Sequence, residues 1–170
     1  IRVHPALLGK RHPLANVHGV NNGVVIEGDQ VGKVSFFGRG AGEEPTASAV
    51  VADMVDIAKI SRSGIRSRER VYSRARLVPV EEVRTRYYLR FRVTDRPGVM
   101  GTLTTILGKH RVSLSSVHQK ETRTSPVSVV VLTHAARERD VQRALQTIAG
   151  LSAVKSRPVL IRIEDEEECR

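Results

Sequence analysis

The sequence predicts an α/β chain of the α+β kind, built in two parts: a β-hairpin with one long helix, then a β-α-β-β-α-β unit in the ferredoxin-like arrangement. Three observations carry this. Residues 86–93 (RYYLRFRV) alternate in polarity with the period of a strand. Ala47, Val50, Val51, Met54, Val55 and Ala58 recur at i, i+3, i+4, i+7, i+8 and i+11, one face of an amphipathic helix. Between these two patterns, residues 61–82 are rich in Ser and Arg and carry little periodicity, as a linker does.

In the first part, His12-Pro13 marks a turn. Residues 22–27 (NGVVIE) are short and β-branched, Glu27-Gly28-Asp29-Gln30 reads as a turn, and residues 31–37 (VGKVSFF) return as the second strand of a hairpin. Gly38 to Gly42 ends the hairpin, and Pro45 suits the first position of the helix. A hairpin and one helix do not close a core. This part is therefore expected to pack on a domain outside the chain and to be marginal alone. In the linker, residues 71–80 (VYSRARLVPV) have the composition of a short additional strand.

The second part begins with the strand 86–93, whose apolar face is Tyr87, Leu89, Phe91 and Val93. Asp95-Arg96-Pro97-Gly98 opens a helix with Pro97 at its start and Val99, Leu103, Ile106 and Leu107 inward. Strands follow at 112–117 and 127–133, with a polar loop between them. A helix over 137–149 places Val141, Leu145 and Ile148 inward, and a strand over 159–163 closes the unit.

Composition narrows the function. The chain has 170 residues, 40% of them hydrophobic, enough for a packed core. The single cysteine, Cys169, excludes an internal disulfide and suits a reducing, cytoplasmic setting. No apolar run approaches the roughly 18 residues of a membrane span. The formal charge of +10 invites nucleic-acid binding, but its distribution disfavours it. Ten arginines lie between Arg62 and Arg92, while residues 164–168 (EDEEE) form an acidic block running into the tail, 166–170. Aromatics are 4% of residues, too few for base-stacking platforms. Ile1 reads as mid-strand, so the chain is expected to be a piece of a longer or processed protein.

Residues 38–58 (GRGAGEEPTASAVVADMVDIA) look like a phosphate-cradling loop before a helix. The dinucleotide fingerprint G-x-G-x-x-G fails here, because its third glycine position is Glu43. Glu43 and Glu44 complement the helix dipole themselves and repel a phosphate. The glycines at 38, 40 and 42 still permit close backbone approach, either to a ligand or simply in a tight strand-to-helix turn. The six histidines (4, 12, 18, 110, 118 and 134) show no metal-ligand spacing, and no nucleophile elbow or Cys/His pair is visible. The residues by themselves assemble no complete catalytic constellation.

Residues 12–58 (HPLANVHGVNNGVVIEGDQVGKVSFFGRGAGEEPTASAVVADMVDIA), with residues 2–8 (RVHPALL) before them, closely resemble the end of the catalytic domain of homoserine dehydrogenase. Residues 87–121 (YYLRFRVTDRPGVMGTLTTILGKHRVSLSSVHQKE) resemble the ACT regulatory domain that follows it in many bacterial forms. The resemblance implies four segments. Residues 1–60 are the C-terminal part of the catalytic domain, a remnant of its α/β substrate and dimerisation domain. Residues 61–82 are the linker, 83–165 the ACT domain and 166–170 the acidic tail.

The resemblance further implies NADP- or NAD-dependent interconversion of L-homoserine and L-aspartate 4-semialdehyde, on the route to threonine, methionine and isoleucine. The Rossmann domain, catalytic lysine, substrate carboxylates and monovalent-cation site of the family are expected upstream of Ile1. No catalytic residue or metal site is therefore expected here, and the chain alone is expected to be inactive. The glycine turn carries over as a cofactor contact near the nicotinamide: Gly42, with Gly40, Ala41 and Thr46 beside it. In the ACT domain, the loop 94–99 is the expected amino-acid effector site, with threonine the effector the family suggests. The residues are Asp95, Arg96, Gly98 and Val99. Backbone N–H groups at the helix start would hold the effector's carboxylate, and Asp95 would either receive its ammonium or cap the helix. A homodimer or larger assembly is expected. A stand-alone ACT-type amino-acid-binding module without catalysis is the alternative reading.

Overall fold

The computed structural model describes residues 2–63, 76–119 and 125–164. Among them the chain order is β1 (Ala6–Leu8), a 3-10 turn (Pro13–Asn16), β2 (Asn21–Gly28), β3 (Gly32–Arg39), α1 (Glu43–Ser63), a second 3-10 turn (Val80–Glu82), β4 (Arg84–Val93), α2 (Val99–Lys109), β5 (Leu114–Gln119), β6 (Val127–Thr133), β7 (Ala136–Arg137), α3 (Glu138–Ala149) and β8 (Val159–Glu164). The chain divides into two compact units, Lys10–Ala75 and a second made of Ile1–Gly9 with Arg76–Arg170.

In the smaller unit β2 and β3 form the expected antiparallel hairpin, paired from Asn21↔Arg39 to Gly28↔Gly32. The loop between the last pair is Asp29-Gln30-Val31, and Gly32 leaves it at φ +70. Three-residue hairpin loops require such a left-handed residue, which glycine adopts without strain. His12 begins the first 3-10 turn by accepting the Leu14 N–H on its Nδ1 at 3.1 Å. Gly23 has no side chain because Leu14, Val17 and Phe37 close over it. α1 starts at Glu43, two residues before Pro45. The proline costs no hydrogen bond there, since the first helical N–H groups have no intrahelical acceptor anyway. None of the described residues of this unit is buried, and Met54 in the expected apolar stripe is 65% exposed.

The larger unit holds the core. Its sheet runs β1-β8-β4-β6-β5, antiparallel except for the β1–β8 pair, with β7 adding to the start of β4. The β8-β4-β6-β5 part is the predicted ferredoxin-like order. α2 and α3 supply the buried cover: Leu103 and Leu107 from α2, and Val141, Ala144, Leu145 and Ile148 from α3. Beneath them the period-2 alternation of β4 is realised, with Tyr87, Leu89 and Phe91 fully buried. Removing side chains of this size from water contributes about 1.5–3 kcal/mol each. α2 ends in a Schellman arrangement: Arg111 N–H donates to Gly108 O at 2.9 Å and Val112 N–H to Leu107 O at 3.0 Å. This places Arg111 at φ +60.

The strand expected at 112–117 is β5, two residues later, and Pro45 is the third rather than the first residue of α1. Three further features differ from the sequence reading. α2 begins at Val99, so Pro97 lies before the helix rather than at its start. β1 joins the sheet of the larger unit, paired Ala6↔Arg162 to Leu8↔Glu164, although its sequence reads continuously with the hairpin. Residues 76–79 are irregular and 80–82 form a 3-10 turn, so the described part of 71–80 adds no strand. The rest of that stretch, most of the arginine-rich linker and the tail 166–170 lie outside the described residues.

Candidate functional site

The junction of β4 and α2 forms a cleft of about 510 Å³, walled by residues 93–100, Gln119, Val127 and Val129. Its geometry follows from two residues. Pro97 and Gly98 are the central pair of a turn closed by Val99 N–H donating to Arg96 O at 3.3 Å. Gly98 takes φ +86 and ψ −16, the third-residue conformation of a type II turn, which favours glycine. Gly98 is also the N-cap of α2, and its carbonyl accepts from both the N–H and the hydroxyl of Thr102. Its lack of a side chain means that no cap covers the helix start. The N–H groups of Met100 and Gly101 therefore have no acceptor within the helix.

All four residues expected at this site, Asp95, Arg96, Gly98 and Val99, line the cleft together. Asp95 does not cap α2. Its Oδ1 accepts instead from Gln119 Nε2 at 3.3 Å, across to the end of β5. The cleft is thus lined by the Asp95 carboxylate, by the backbone at the start of α2 and by the apolar Val93, Val127 and Val129. Sequence reasoning missed Gln119 and these valines. The valines are legible only as core positions of their strands, and Gln119 comes from an element distant in sequence.

The glycine turn is the second candidate. Gly40 and Ala41 N–H both donate to Val20 O, at 3.0 and 3.3 Å, which clamps the end of β3 to the start of β2. A Cβ on Gly40 would overlap the Asn22 side-chain amide. Gly42, at φ +120, precedes α1, and its carbonyl accepts from Thr46 Oγ1 at 2.7 Å and Thr46 N–H at 3.3 Å. The structure therefore brings Gly40, Ala41, Gly42 and Thr46 into one turn. The turn presents open backbone flanked by the Glu43 and Glu44 carboxylates. Two carboxylates at a helix start disfavour a pyrophosphate at this turn.

A third cluster was not read from the sequence. Glu138, 4% exposed at the start of α3, is bound by Arg162 through Nε at 2.9 Å and Nη2 at 2.8 Å, by Tyr87 Oη at 3.0 Å and by Gln142 Nε2 at 2.8 Å. Burial and the neighbouring Glu138 charge hold the Tyr87 phenol well above its ordinary pKa. The four donors satisfy the carboxylate, so the cluster reads as a structural tie of β4, β8 and α3. Among the described residues no group of three His, Cys, Asp or Glu could hold a metal ion, and no helix is long and apolar enough to cross a membrane.

The homoserine dehydrogenase family matches residues 1–55, and the ACT domain family matches residues 87–153. A homoserine dehydrogenase from Synechocystis is 44% identical over 96% of this chain and 39% of its own length. The chain belongs to the homoserine dehydrogenase family, as its C-terminal region with an ACT domain. A homoserine dehydrogenase from Pseudomonas aeruginosa is 36% identical over 96% of the chain and 40% of its own length. The crystal structure of a homoserine dehydrogenase from Thiobacillus denitrificans superposes with a TM-score of 0.81 at 40% identity, over 96% of this chain and 38% of that one. The Staphylococcus aureus homoserine dehydrogenase, at 22% identity and a TM-score of 0.55 over 95% of this chain and 36% of that one, shares the fold. The chain spans about two fifths of the length of the curated relatives it matches.

Proposed function

We propose that this chain is the C-terminal part of an enzyme that interconverts L-homoserine and L-aspartate 4-semialdehyde with NADP or NAD, and that its ACT domain senses an amino acid. The observation that supports the sensing role is the β4–α2 cleft. A zwitterionic amino acid needs an acceptor for its ammonium and donors for its carboxylate. Asp95, held by Gln119, is the acceptor, and the uncapped N–H groups at the start of α2 are the donors. Arg96 adds positive charge beside them, and the valine floor suits a small aliphatic side chain. Threonine fits this description. A second copy of the chain closing over this cleft is the form of homodimer proposed here.

The smaller unit contributes the Gly42 turn. Gly40, Ala41, Gly42 and Thr46 would hold the nicotinamide end of the cofactor, which supplies hydride acceptance and donation when bound. The chain's own part is to place open backbone there. Glu43 and Glu44 beside the turn direct the phosphates of the cofactor elsewhere. The turn offers only the exposed Glu43 and Glu44 carboxylates and a Thr46 hydroxyl already committed to Gly42 O, so the 170-residue chain by itself should show no homoserine-dependent reduction of NADP or NAD. Measurable turnover by the isolated chain refutes this division of labour.

Calorimetric titration separates the sensing role from the catalytic one. Threonine should bind saturably, lysine and methionine should not, and Asp95→Asn should abolish the threonine heat without unfolding the chain. Absence of heat with all three amino acids eliminates the sensor and leaves the ACT domain a dimerisation role.

A further inference from the structure

A second cleft of about 540 Å³ lies between α3 and the segment leading into β8, and shares no residue with the one at Asp95. Arg157, Arg162, Gln142 and Gln146 line it, with Leu145 and Val159 among its apolar residues. It has two guanidinium groups and no carboxylate. Arg162 is the informative member. Its side chain is only 18% exposed, and Glu138 fixes it in a two-point contact through Nε and Nη2. A guanidinium has five N–H groups, so three remain without a partner among the described residues. Glu138 is in turn saturated by Tyr87 and Gln142, so its carboxylate cannot swing to Arg157. Arg157 has no ion pair or hydrogen bond among the described residues, and neither does Gln146.

We propose that this cleft is a second ligand site, for a small organic anion that carries a carboxylate on an aliphatic arm. The preorganised Arg162 face and Arg157 take the carboxylate, since a planar guanidinium held in place matches its two oxygens. Gln146 supplies a further donor, and Leu145 and Val159 cover the aliphatic arm. A free phosphate would use the same donors but gains nothing from the apolar wall. A chloride ion satisfies neither requirement.

The test uses the full 170-residue chain, labelled with nitrogen-15, and follows the arginine Nε–H signals during titration with sodium isobutyrate. Matched titrations with sodium chloride and sodium phosphate hold ionic strength equal. The expected result is a saturable shift of the Arg162 and Arg157 signals with isobutyrate, and a weaker response to both inorganic anions. Arg157→Gln, at an exposed position outside the core, should weaken isobutyrate binding about tenfold, the usual scale of a charge-assisted hydrogen bond. Asp95→Asn should leave it unchanged. Equal curves for isobutyrate and chloride, a linear drift without saturation, or parental affinity in Arg157→Gln each overturn the proposal. A phosphate response stronger than that of isobutyrate overturns the assignment to a carboxylate.

Discussion

One phenolic proton joins the middle of the sheet to the start of α3, and replacing Tyr87 with Phe removes it with little change in shape. Tyr87 is fully buried, and its hydroxyl donates to Glu138 Oε2 at 3.0 Å. Hydrogen bonds to charged groups contribute about 1.5–3 kcal/mol. Glu138 keeps the two Arg162 contacts and that from Gln142 in the variant, so the lower end applies, about 1.5 kcal/mol at pH 7. The pH dependence sharpens the prediction. The folded-state pKa of Tyr87 is raised above its ordinary value of 10.0 by burial and by Glu138. The native chain therefore keeps this proton after the unfolded chain has lost it. The contribution is complete below pH 10 and falls as pH rises above it, by about 1.4 kcal/mol per unit. At pH 11 the parent has lost about 1.4 kcal/mol from this group, while Tyr87→Phe has lost none. The gap between the two should shrink from about 1.5 kcal/mol at pH 7 towards zero at pH 11. Urea denaturation followed by far-ultraviolet circular dichroism at both pH values measures it. A gap that is the same at both refutes the coupling of the Tyr87 proton to Glu138.

Other predictions follow from backbone and burial. Arg111 sits in the left-handed region at φ +60, which costs a residue with a side chain about 1–2 kcal/mol, so Arg111→Gly should raise the urea-derived stability by about 0.5–1 kcal/mol after glycine's extra entropy is offset. Gly98→Ala should lower stability by about 1 kcal/mol because of its φ of +86, and should weaken threonine binding in calorimetry by displacing the start of α2. Met54→Lys, at a position 65% exposed, should change the stability of the isolated chain by less than about 0.5 kcal/mol, since no core contact is lost. A larger drop would mean that the α1 stripe is covered when the chain is in solution.

Much of the larger unit was legible in sequence because its elements are strongly periodic. The alternation of residues 86–93 is realised in β4, and the strand 127–133 is the observed β6. Short elements were less legible. β7 has two residues, too few for any period, and exists because the start of β4 accepts it, while the strand read at the chain start is regular only over the three residues of β1. The start of α2 was misplaced because Pro97 suits both a helix start and the second position of a turn. The left-handed Gly98 beside it decides for the turn. The cleft residues Asp95, Arg96, Gly98 and Val99 could be chosen in advance because they lie in one short loop, whereas Gln119 could not, because its contact with Asp95 depends on sheet order.

The sequence alone determined the hairpin with its long helix, the ferredoxin-like order and the mismatch of residues 38–43 to the dinucleotide fingerprint. Each of these rests on periodicity, spacing or charge within short stretches. Only the tertiary structure decided that Asp95 is held by Gln119 instead of capping α2, that Glu138 is buried with its partners from β4, β8 and α3, and that β1 belongs to the second sheet. These depend on residues tens of positions apart that meet when the strands pair, and local pattern does not encode which distant edges will meet.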